Sequence, residues 1–213
     1  MPTSATSFST GLIIGAVSFS LGVLYSNWAY DYYTLWHRPA LSEAFAHSLA
    51  HYQQWANLPA FLYHVHHAIA ALGLVGLFLK LYKPSESNKL FDGASLFLYM
   101  VGIVIYLTNL RVGVRSAAAR EWGDVDEQTG INVIAASQVM IVFTFLGVVG
   151  LQVGQYWAEH EDKKVWEKAM QEEQEELAAA TAATTEKKEE EVKSEKKKAT
   201  GAKVGTTKAS KRV

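Results

Sequence analysis

The sequence predicts an all-α, polytopic membrane protein with four transmembrane helices and a long charged C-terminal tail. Four long apolar segments contain no Asp, Glu, Lys or Arg: Met1–Tyr30, Ala44–Leu79, Gly93–Leu110 and Gln128–Ala158. A helix needs about 20 apolar residues to cross a ~30 Å hydrocarbon core, where it satisfies its own backbone hydrogen bonds. We therefore predict helical spans near residues 8–26, 59–79, 93–110 and 131–157. A soluble protein is disfavoured, because core helices seldom stay uncharged on all faces over such lengths.

Charged residues divide the chain of 213 residues into two parts. Residues 1–158 hold 7 Lys/Arg and 8 Asp/Glu between the apolar runs, whereas residues 159–213 hold 13 of each. The tail begins with a stretch, residues 160–183, that is rich in the strong helix formers Glu, Lys, Gln and Ala. From Glu186 onward it is a low-complexity run typical of disorder. We predict a four-span membrane domain over 1–158 and a helical-then-disordered cytosolic tail over 159–213.

The distribution of Lys and Arg near the span ends predicts that both termini lie in the cytosol. The N-terminus, the second loop (residues 80–92) and the start of the tail together carry six such residues, against four in the first and third loops (residues 27–58 and 111–128). Positive charge is enriched in cytoplasmic loops. The first loop also contains Leu41–Tyr52, whose apolar periodicity predicts an interfacial helix.

Small residues recur along the first, second and fourth spans. On the first, Gly11, Gly15, Ser18 and Gly22 fall on one helix face. The second has an Ala/Gly-rich stretch between Ala68 and Gly76, and the fourth has three glycines: Gly147, Gly150 and Gly154. Small residues let helix backbones approach closely in a membrane. Two interpretations stay open: these faces hold the four helices together, or one of them stays free for a partner helix.

Histidines provide the strongest enzyme-like pattern. His64, His66 and His67 lie within one helical turn of the second span, and imidazoles are common metal and haem ligands. The spans contain no carboxylate that could complete a site, so we favour interfacial or polar-packing histidines over a metal or haem centre. The chain has no cysteine, which excludes disulfides and thiolate metal sites. Phosphate-binding loops, nucleophile elbows and acid–base relays are also absent, and we predict neither catalytic activity nor a cofactor.

A set of short motifs in the first 157 residues resembles the fungal secretory-component family, the endoplasmic-reticulum packaging chaperones for amino-acid permeases. The first span and its exit carry Leu21-Gly22-Val23 and Asn27-x-x-Tyr30-Asp31-Tyr32-x-x-Leu35-Trp36. The further matches are His51-Tyr52-Gln53, Leu107-Thr108-Asn109, Trp122-Gly123-Asp124-Val125, Gln128-x-Gly130-Ile131, Ala136-Ser137 and Leu151-Gln152-x-Gly154. The histidines at 64–67 are not part of the family's pattern, and the tail resembles the family only in being long and charged.

The resemblance implies a multi-pass endoplasmic-reticulum membrane chaperone with cytosolic termini. Such a protein keeps nascent amino-acid permeases from aggregating and promotes their packaging into COPII vesicles. Its implied partners are permease membrane domains, COPII coat components reached through the tail, and the lipid bilayer, with no nucleic acid. The implied client-binding or structural candidates are Asn27, Tyr30, Asp31, Tyr32, Trp36, Asn109, Trp122, Gly123, Gly130 and Gln152.

Within this resemblance, Asp31 is predicted to be a structural hydrogen-bond acceptor, because tyrosines flank it on both sides. Two alternatives to a chaperone remain. One is a membrane metal- or haem-binding protein that uses His64, His66 and His67. The other is a structural tetraspan adaptor without preference for permeases.

Overall fold

A computed structural model describes residues 4–37, 42–82 and 89–204, with side chains over 7–37, 43–82 and 89–178. The described residues form helices and turns, without a strand. In chain order the helices are α1 (Ser4–Asp31), α2 (Ser42–Ala56), α3 (Ala60–Tyr82), α4 (Lys89–Ile105), α5 (Arg111–Ala119) and α6 (Glu127–Val204). Two π-helical turns extend α1 and join α4 to α5: Tyr32–Trp36 and Tyr106–Leu110. Helix α2 forms where the sequence predicts a helix in the first loop, and its position at the membrane interface stays a prediction.

Four stretches of these helices are long and apolar enough to cross a membrane: Ser7–Trp36, Ala60–Tyr82, Lys89–Ala119 and Glu127–Ala178. The fold class predicted from the sequence, all-α with four membrane-spanning helices, is therefore confirmed for the described residues. Each stretch extends beyond the predicted span at its C-terminal end, because the helical backbone continues past the first polar or charged residues.

The four long helices run alternately up and down. A Cβ atom built at Gly76 of α3 would lie 2.9 Å from the backbone oxygen of Ser9, so α1 and α3 pack backbone against backbone. Tyr99 of α4 donates a hydrogen bond of 3.0 Å to the backbone oxygen of Ala70 in α3. Its ring also stacks on Phe145 of α6, with the ring centroids 5.4 Å apart. We call the end that carries α2 and α5 the α2–α5 end, and the end near Tyr82 and Lys89 the opposite end.

The helix bundle is apolar outside as well as inside. Ile13, Leu77 and Val148 are fully buried in the core. On the outer faces, Phe97 of α4 is 67% exposed and Phe143 of α6 is 69% exposed. Apolar surface of this extent is costly in water and is expected where helices face lipid. The exterior therefore agrees with the hydropathy of the four helices.

The structure corrects the predicted loops at three places. Helix α1 does not end near residue 26 but continues through Asn27 and Asp31. Lys80 and Asp92, placed by the sequence in the second loop, are buried within α3 and α4. The third loop contains a helix, α5, that begins at Arg111. The sequence-based prediction ended a span at the first charged residue. In the structure a charged side chain can stay inside a helix bundle, because a partner side chain is buried beside it.

Helix α6 begins at a capped N-terminus. The backbone N–H of Thr129 donates to Asp126 Oδ2 at 3.1 Å, and its hydroxyl donates to Oδ1 at 2.7 Å. These bonds lower the pKa of the Asp126 carboxyl below its ordinary value, since they favour its charged form.

Residues up to Ala158 and from Glu159 onward form two compact units. The helical assignment of α6 runs to Val204, whereas the sequence places the end of the helical part at Ala183.

Candidate functional site

A buried cluster of polar side chains joins α1, α2 and α6 at the α2–α5 end. It consists of Asn27, Asp31, His51, Tyr52 and Gln138, and we call it the Asp31 cluster. Gln138 Nε2 donates to Asp31 Oδ2 at 2.8 Å and to the Tyr52 hydroxyl at 2.9 Å. The Tyr52 hydroxyl in turn donates to Asp31 Oδ1. Both carboxylate oxygens of Asp31 therefore have a donor, as buried charge requires.

The remaining amide groups extend this cluster towards α2. Asn27 Nδ2 donates to Gln138 Oε1 at 2.6 Å, and Asn27 Oδ1 lies 2.8 Å from His51 Nε2. Because an amide oxygen only accepts, the proton of the neutral His51 ring resides on Nε2. Burial lowers the pKa of His51 below its ordinary value. Burial, followed by the Asp31 charge, raises the pKa of Tyr52 well above its ordinary value, so its hydroxyl stays a donor.

Tyr30 packs against the Asp31 cluster and connects α1 to α2. Its ring stacks on His51, with the centroids 3.9 Å apart and the planes 9° from parallel. Its backbone oxygen accepts a hydrogen bond of 3.2 Å from Ser48. By contrast, Tyr32 and Trp36 are 46% and 55% exposed. The aromatic segment after the first apolar run therefore has a buried polar side that binds α2 and an exposed aromatic side.

A second buried polar cluster lies at the opposite end, between α3, α4 and α6. We call it the Lys80 cluster; its members are Lys80, Asp92, Ser95, Gln152 and Gln155. Lys80 Nζ donates to Gln152 Oε1 and to Gln155 Oε1, each at 2.7 Å. It also lies 3.3 Å from Asp92 Oδ1, an ion pair without hydrogen-bond geometry. The two charged side chains are only 4% and 3% exposed.

The two glutamines complete the Lys80 cluster. Gln152 Nε2 donates to Ser95 Oγ at 2.9 Å, and Gln155 Nε2 donates to Asp92 Oδ2 at 3.4 Å. The sequence placed Lys80 and Asp92 in the second loop, and the structure instead buries both charged side chains between helices. A buried ion pair is tolerated when hydrogen bonds satisfy the remaining N–H groups of the lysine and the remaining oxygen of the carboxylate.

The structure distributes the ten sequence-predicted residues over several places. Asn27 and Asp31 meet in the Asp31 cluster, with Tyr30 against it, and Gln152 belongs to the Lys80 cluster. Trp122 covers Gly130, where a Cβ atom would overlap the indole ring. Gly123 has a φ of 66°, a left-handed conformation that glycine adopts without strain. Asn109 is exposed on the π-helical turn between α4 and α5, away from both clusters.

Sequence reasoning missed most of the residues that complete these clusters. The missed residues are His51, Tyr52, Gln138, Lys80, Asp92, Ser95 and Gln155. One signal was present: Lys80 and Asp92 directly flank two apolar runs, and Gln152 and Gln155 share a helix face. Two opposite charges at the ends of adjacent spans, together with two glutamines on one face of another span, are the pattern of a buried ion pair.

The histidines of α3 contact aromatic rings. The His66 ring lies 5.3 Å from Tyr106 and 6.1 Å from Phe19, between centroids. His67 Nε2 is 3.1 Å from the Tyr106 hydroxyl. Among the described residues, no three metal-ligating side chains are grouped to hold an ion. In this arrangement His66 and His67 act as polar packing groups beside a cavity.

The small-residue faces divide into filled and open ones. Gly73 and Gly76 of α3 are filled by Tyr99, Ala16 and the backbone of Ser9. Four residues of α1 form an exposed face that we call the open face of α1: Gly11, Gly15, Ser18 and Gly22. A Cβ atom at any of its three glycines would meet nothing described within 4 Å. Small residues of α3 therefore hold helices together, whereas the open face of α1 has no described neighbour; that it receives a partner helix stays a prediction.

The four apolar helices, the lipid-like exterior and the internal polar clusters define a multi-pass helical membrane protein. The sequence model of a family described as ER membrane protein SH3, the SHR3 chaperones, matches residues 4–193, and the chain belongs to this family. It is also similar to the secretory component protein psh3 of Schizosaccharomyces pombe, with 22% identity over 148 residues, which covers 70% of this chain and 68% of that protein. No solved structure matches the chain. The resemblance to the fungal secretory-component family is confirmed.

Proposed function

We propose that this chain shields the membrane spans of newly made amino-acid permeases in the endoplasmic reticulum and promotes their packaging into COPII vesicles. Its family is one of endoplasmic-reticulum membrane chaperones rather than enzymes, which supports the general role. We add two specific points to this general role: the clients are amino-acid permeases, and they leave in COPII vesicles. The observation that carries it is the open face of α1.

The open face of α1 suits a transient partner helix. Its residues are small, so that the backbone of a second helix can approach closely and gain packing contacts. The face is uncharged, and Ser18 offers one hydroxyl within the span. Transporter helices are often interrupted, and their polar groups are unsatisfied until the bundle closes. A small uncharged face can cover such a segment.

The energetics favour release as well as binding. Hydrogen bonds between transmembrane helices contribute on the order of 0.6–2 kcal/mol each. A few such contacts hold a client for a limited time, whereas a charged contact in lipid would be costly for both partners before they meet. Lys80 and Asp92 of this chain are instead buried and paired with each other.

Substitution of the open face tests the client-binding part. In the variant Gly11→Leu/Gly15→Leu, we expect normal protein levels but about tenfold less co-purified permease, because ~1.4 kcal/mol of contact energy corresponds to a factor of ten. Gly150→Leu on α6 is the matched control, since a Cβ atom there also meets nothing described within 4 Å. Equal permease recovery from the open-face variant and from wild type would reject this face as the binding surface.

The packaging part is assigned to the charged tail. A chain truncated after Glu161 keeps the predicted membrane domain and loses most of the tail. We expect permeases to remain soluble in mild detergent in cells with this variant, but to leave the endoplasmic reticulum more slowly than other membrane cargo. An unchanged exit rate would contradict a role of the tail in coat recruitment.

Cytosolic termini are part of the same proposal, because the tail can reach a cytosolic coat only from that side. The positive charge near the predicted span ends supports this orientation. An Asn-X-Ser/Thr acceptor inserted after Asp124 should be glycosylated, and one appended after Val213 should not. The reverse pattern would overturn the orientation and with it the coat-recruiting tail.

A further inference from the structure

Two adjoining cavities lie between α1, α3 and the α4–α5 junction. The first, of about 480 Å³, is lined by Arg111, Arg115 and the α3 residues from Ala60 to His67 other than Phe61. We call it the arginine cavity. The second, of about 210 Å³, is lined by apolar side chains further along α3, down to Leu74, and we call it the apolar cavity. The two share six lining residues: Val23, Trp55, His66, His67, Tyr106 and Leu110.

The arginine cavity has positive charge without a described counter-charge. Arg111 and Arg115 are one helical turn apart on α5 and both line it. None of the described residues lining either cavity is Asp or Glu. The ion pairs of the described residues involve other side chains, and neither arginine makes one. An anionic group in the arginine cavity would therefore gain charge-assisted contacts with both arginines without displacing an existing ion pair.

The dimensions of the lining match one leaflet of a bilayer. From Ala60 to Leu74 the wall runs along α3 for roughly 21 Å, at about 1.5 Å per residue. The hydrocarbon depth of one leaflet is roughly 15 Å, half of a ~30 Å core. The charged groups lie at one end of this path, at the α2–α5 end, and the apolar cavity lies at the other. Phe19, Val65 and Leu107 line the path and are 40%, 45% and 44% exposed, so the cavities are accessible from the lipid side.

The apolar cavity has a volume of about 210 Å³ and is lined mainly by apolar side chains. A flexible hydrocarbon chain can follow a small apolar space of this kind. The geometry points to a bound phospholipid: we propose that an anionic headgroup contacts Arg111 and Arg115 while an acyl chain occupies the apolar cavity.

Such a lipid would fill the gap between α1 and α3 near His66 and His67. Tyr63, another lining residue, donates a hydrogen bond to the backbone oxygen of Trp55 and so fixes the rim of the arginine cavity. His67 and Tyr106, which are hydrogen-bonded to each other, lie where the two cavities meet. Neutral polar groups at this depth suit the glycerol-ester region of a phospholipid, between headgroup and chain.

The charge requirement is tested on the purified full-length chain without any permease, so the result is independent of the proposed function. We expect native mass spectrometry after incubation with an equimolar mixture of phosphatidylserine and phosphatidylcholine to show one retained phosphatidylserine. Arg111→Gln/Arg115→Gln should lower its occupancy about 30-fold, since each arginine near an anionic lipid contributes on the order of 1 kcal/mol. Arg120→Gln removes one positive charge from α5's C-terminal side, outside the lining, and should have no effect. Equal retention of the two lipids by wild type, or an equal loss in Arg120→Gln, overturns the proposal.

The apolar part is tested by filling the cavity. Ala71→Phe places a ring into the apolar cavity and should abolish retention of phosphatidylserine. Ala68→Phe lies on an exposed position of the same helix outside both linings and should leave retention unchanged. A photo-crosslinking side chain at position 71 should capture lipid in native membranes. Capture of a polypeptide there, or undiminished retention in Ala71→Phe, would overturn the lipid assignment.

Discussion

The two ends of the bundle bury a carboxylate in different ways. At the α2–α5 end, Asp31 is held by neutral donors, the Tyr52 hydroxyl and the Gln138 amide. At the opposite end, Asp92 is paired with a lysine, and glutamines accept from Lys80 Nζ. The first solution ties a small helix, α2, to the bundle, while the second joins three spanning helices. Removal of one partner should therefore be most costly at the Lys80 cluster, where an uncompensated charge would stay buried.

The largest effect is expected for Lys80→Met. This substitution leaves Asp92 buried without a cation, which costs about 3–5 kcal/mol of unfolding free energy. The double variant Lys80→Met/Asp92→Leu should recover most of that loss, because apolar residues can replace a buried ion pair. Thermal unfolding in mild detergent, followed by circular dichroism, measures both.

Lys163→Met is the control for this prediction. Lys163 pairs with Glu167 at 3.7 Å, but the two side chains are 56% and 55% exposed. An exposed pair of this kind contributes about 0–1 kcal/mol. If Lys80→Met were no more destabilising than Lys163→Met, the Lys80 cluster would not be a buried ion pair in the folded protein.

A smaller and more local effect is expected for Asp31→Ala. It leaves the buried Tyr52 hydroxyl without its acceptor, at about 1–3 kcal/mol, whereas Gln138 Nε2 loses one acceptor but keeps the Tyr52 hydroxyl. Because these groups hold α2 against α1 and α6, amide hydrogen exchange should increase in α2 before it increases in the spans. Tyr32→Ala, at an exposed neighbouring position, should change neither stability nor exchange. Normal levels and exchange with selective loss of permease export would instead identify Asp31 as a client contact.

The smallest effect concerns pH and is confined to the α2–α5 end. His51 has a folded-state pKa below its unfolded value of 6.5, because burial disfavours the imidazolium. A lowered histidine pKa favours folding at neutral pH, and this contribution decreases once the pH falls below the unfolded pKa. Between about pH 7 and pH 5.5 we expect a loss well below ~1.4 kcal/mol per pH unit, since the ring is only partly buried.

The variant His51→Gln should remove the contribution of His51 to the pH dependence, because glutamine does not titrate in this range but keeps an N–H donor for Asn27. Unfolding of both proteins at the two pH values, measured with the same detergent, gives the comparison. An equal loss of stability in His51→Gln would assign the pH effect to another group.

Local sequence rules were sufficient for the four spanning helices and for α2. Length and the absence of charge determine whether a helix can cross a bilayer, and both can be read without knowing any contact. The same rules ended the first span near residue 26 and assigned Lys80 and Asp92 to a loop, because a charge was assumed to lie in water. Their pairing depends on which helix faces which, and that is a property of the folded bundle.

The polar clusters illustrate what local rules leave out. Asp31 and Gln138 are 107 positions apart in the chain, and Lys80 and Gln155 are 75 apart. Gln138 carried no motif that distinguished it from other mild polar residues of the spans. Asn27 and Asp31 were identified as candidates by family resemblance, which included Tyr52 in a motif without giving it a role. The contacts of Tyr52 and Gln138 with Asp31 became apparent only in three dimensions.

The π-helical turn Tyr106–Leu110 adds one residue to the path between α4 and α5, since each of its hydrogen bonds spans five residues rather than four. One residue corresponds to about 100° of rotation and ~1.5 Å of rise in an α-helix. Deletion of the exposed Asn109 would thus turn all of α5 about its axis. Arg111 and Arg115 would leave the arginine cavity, and Ala117 would lose its contact with Gln53. The length of this turn therefore sets the direction in which the arginines of α5 face.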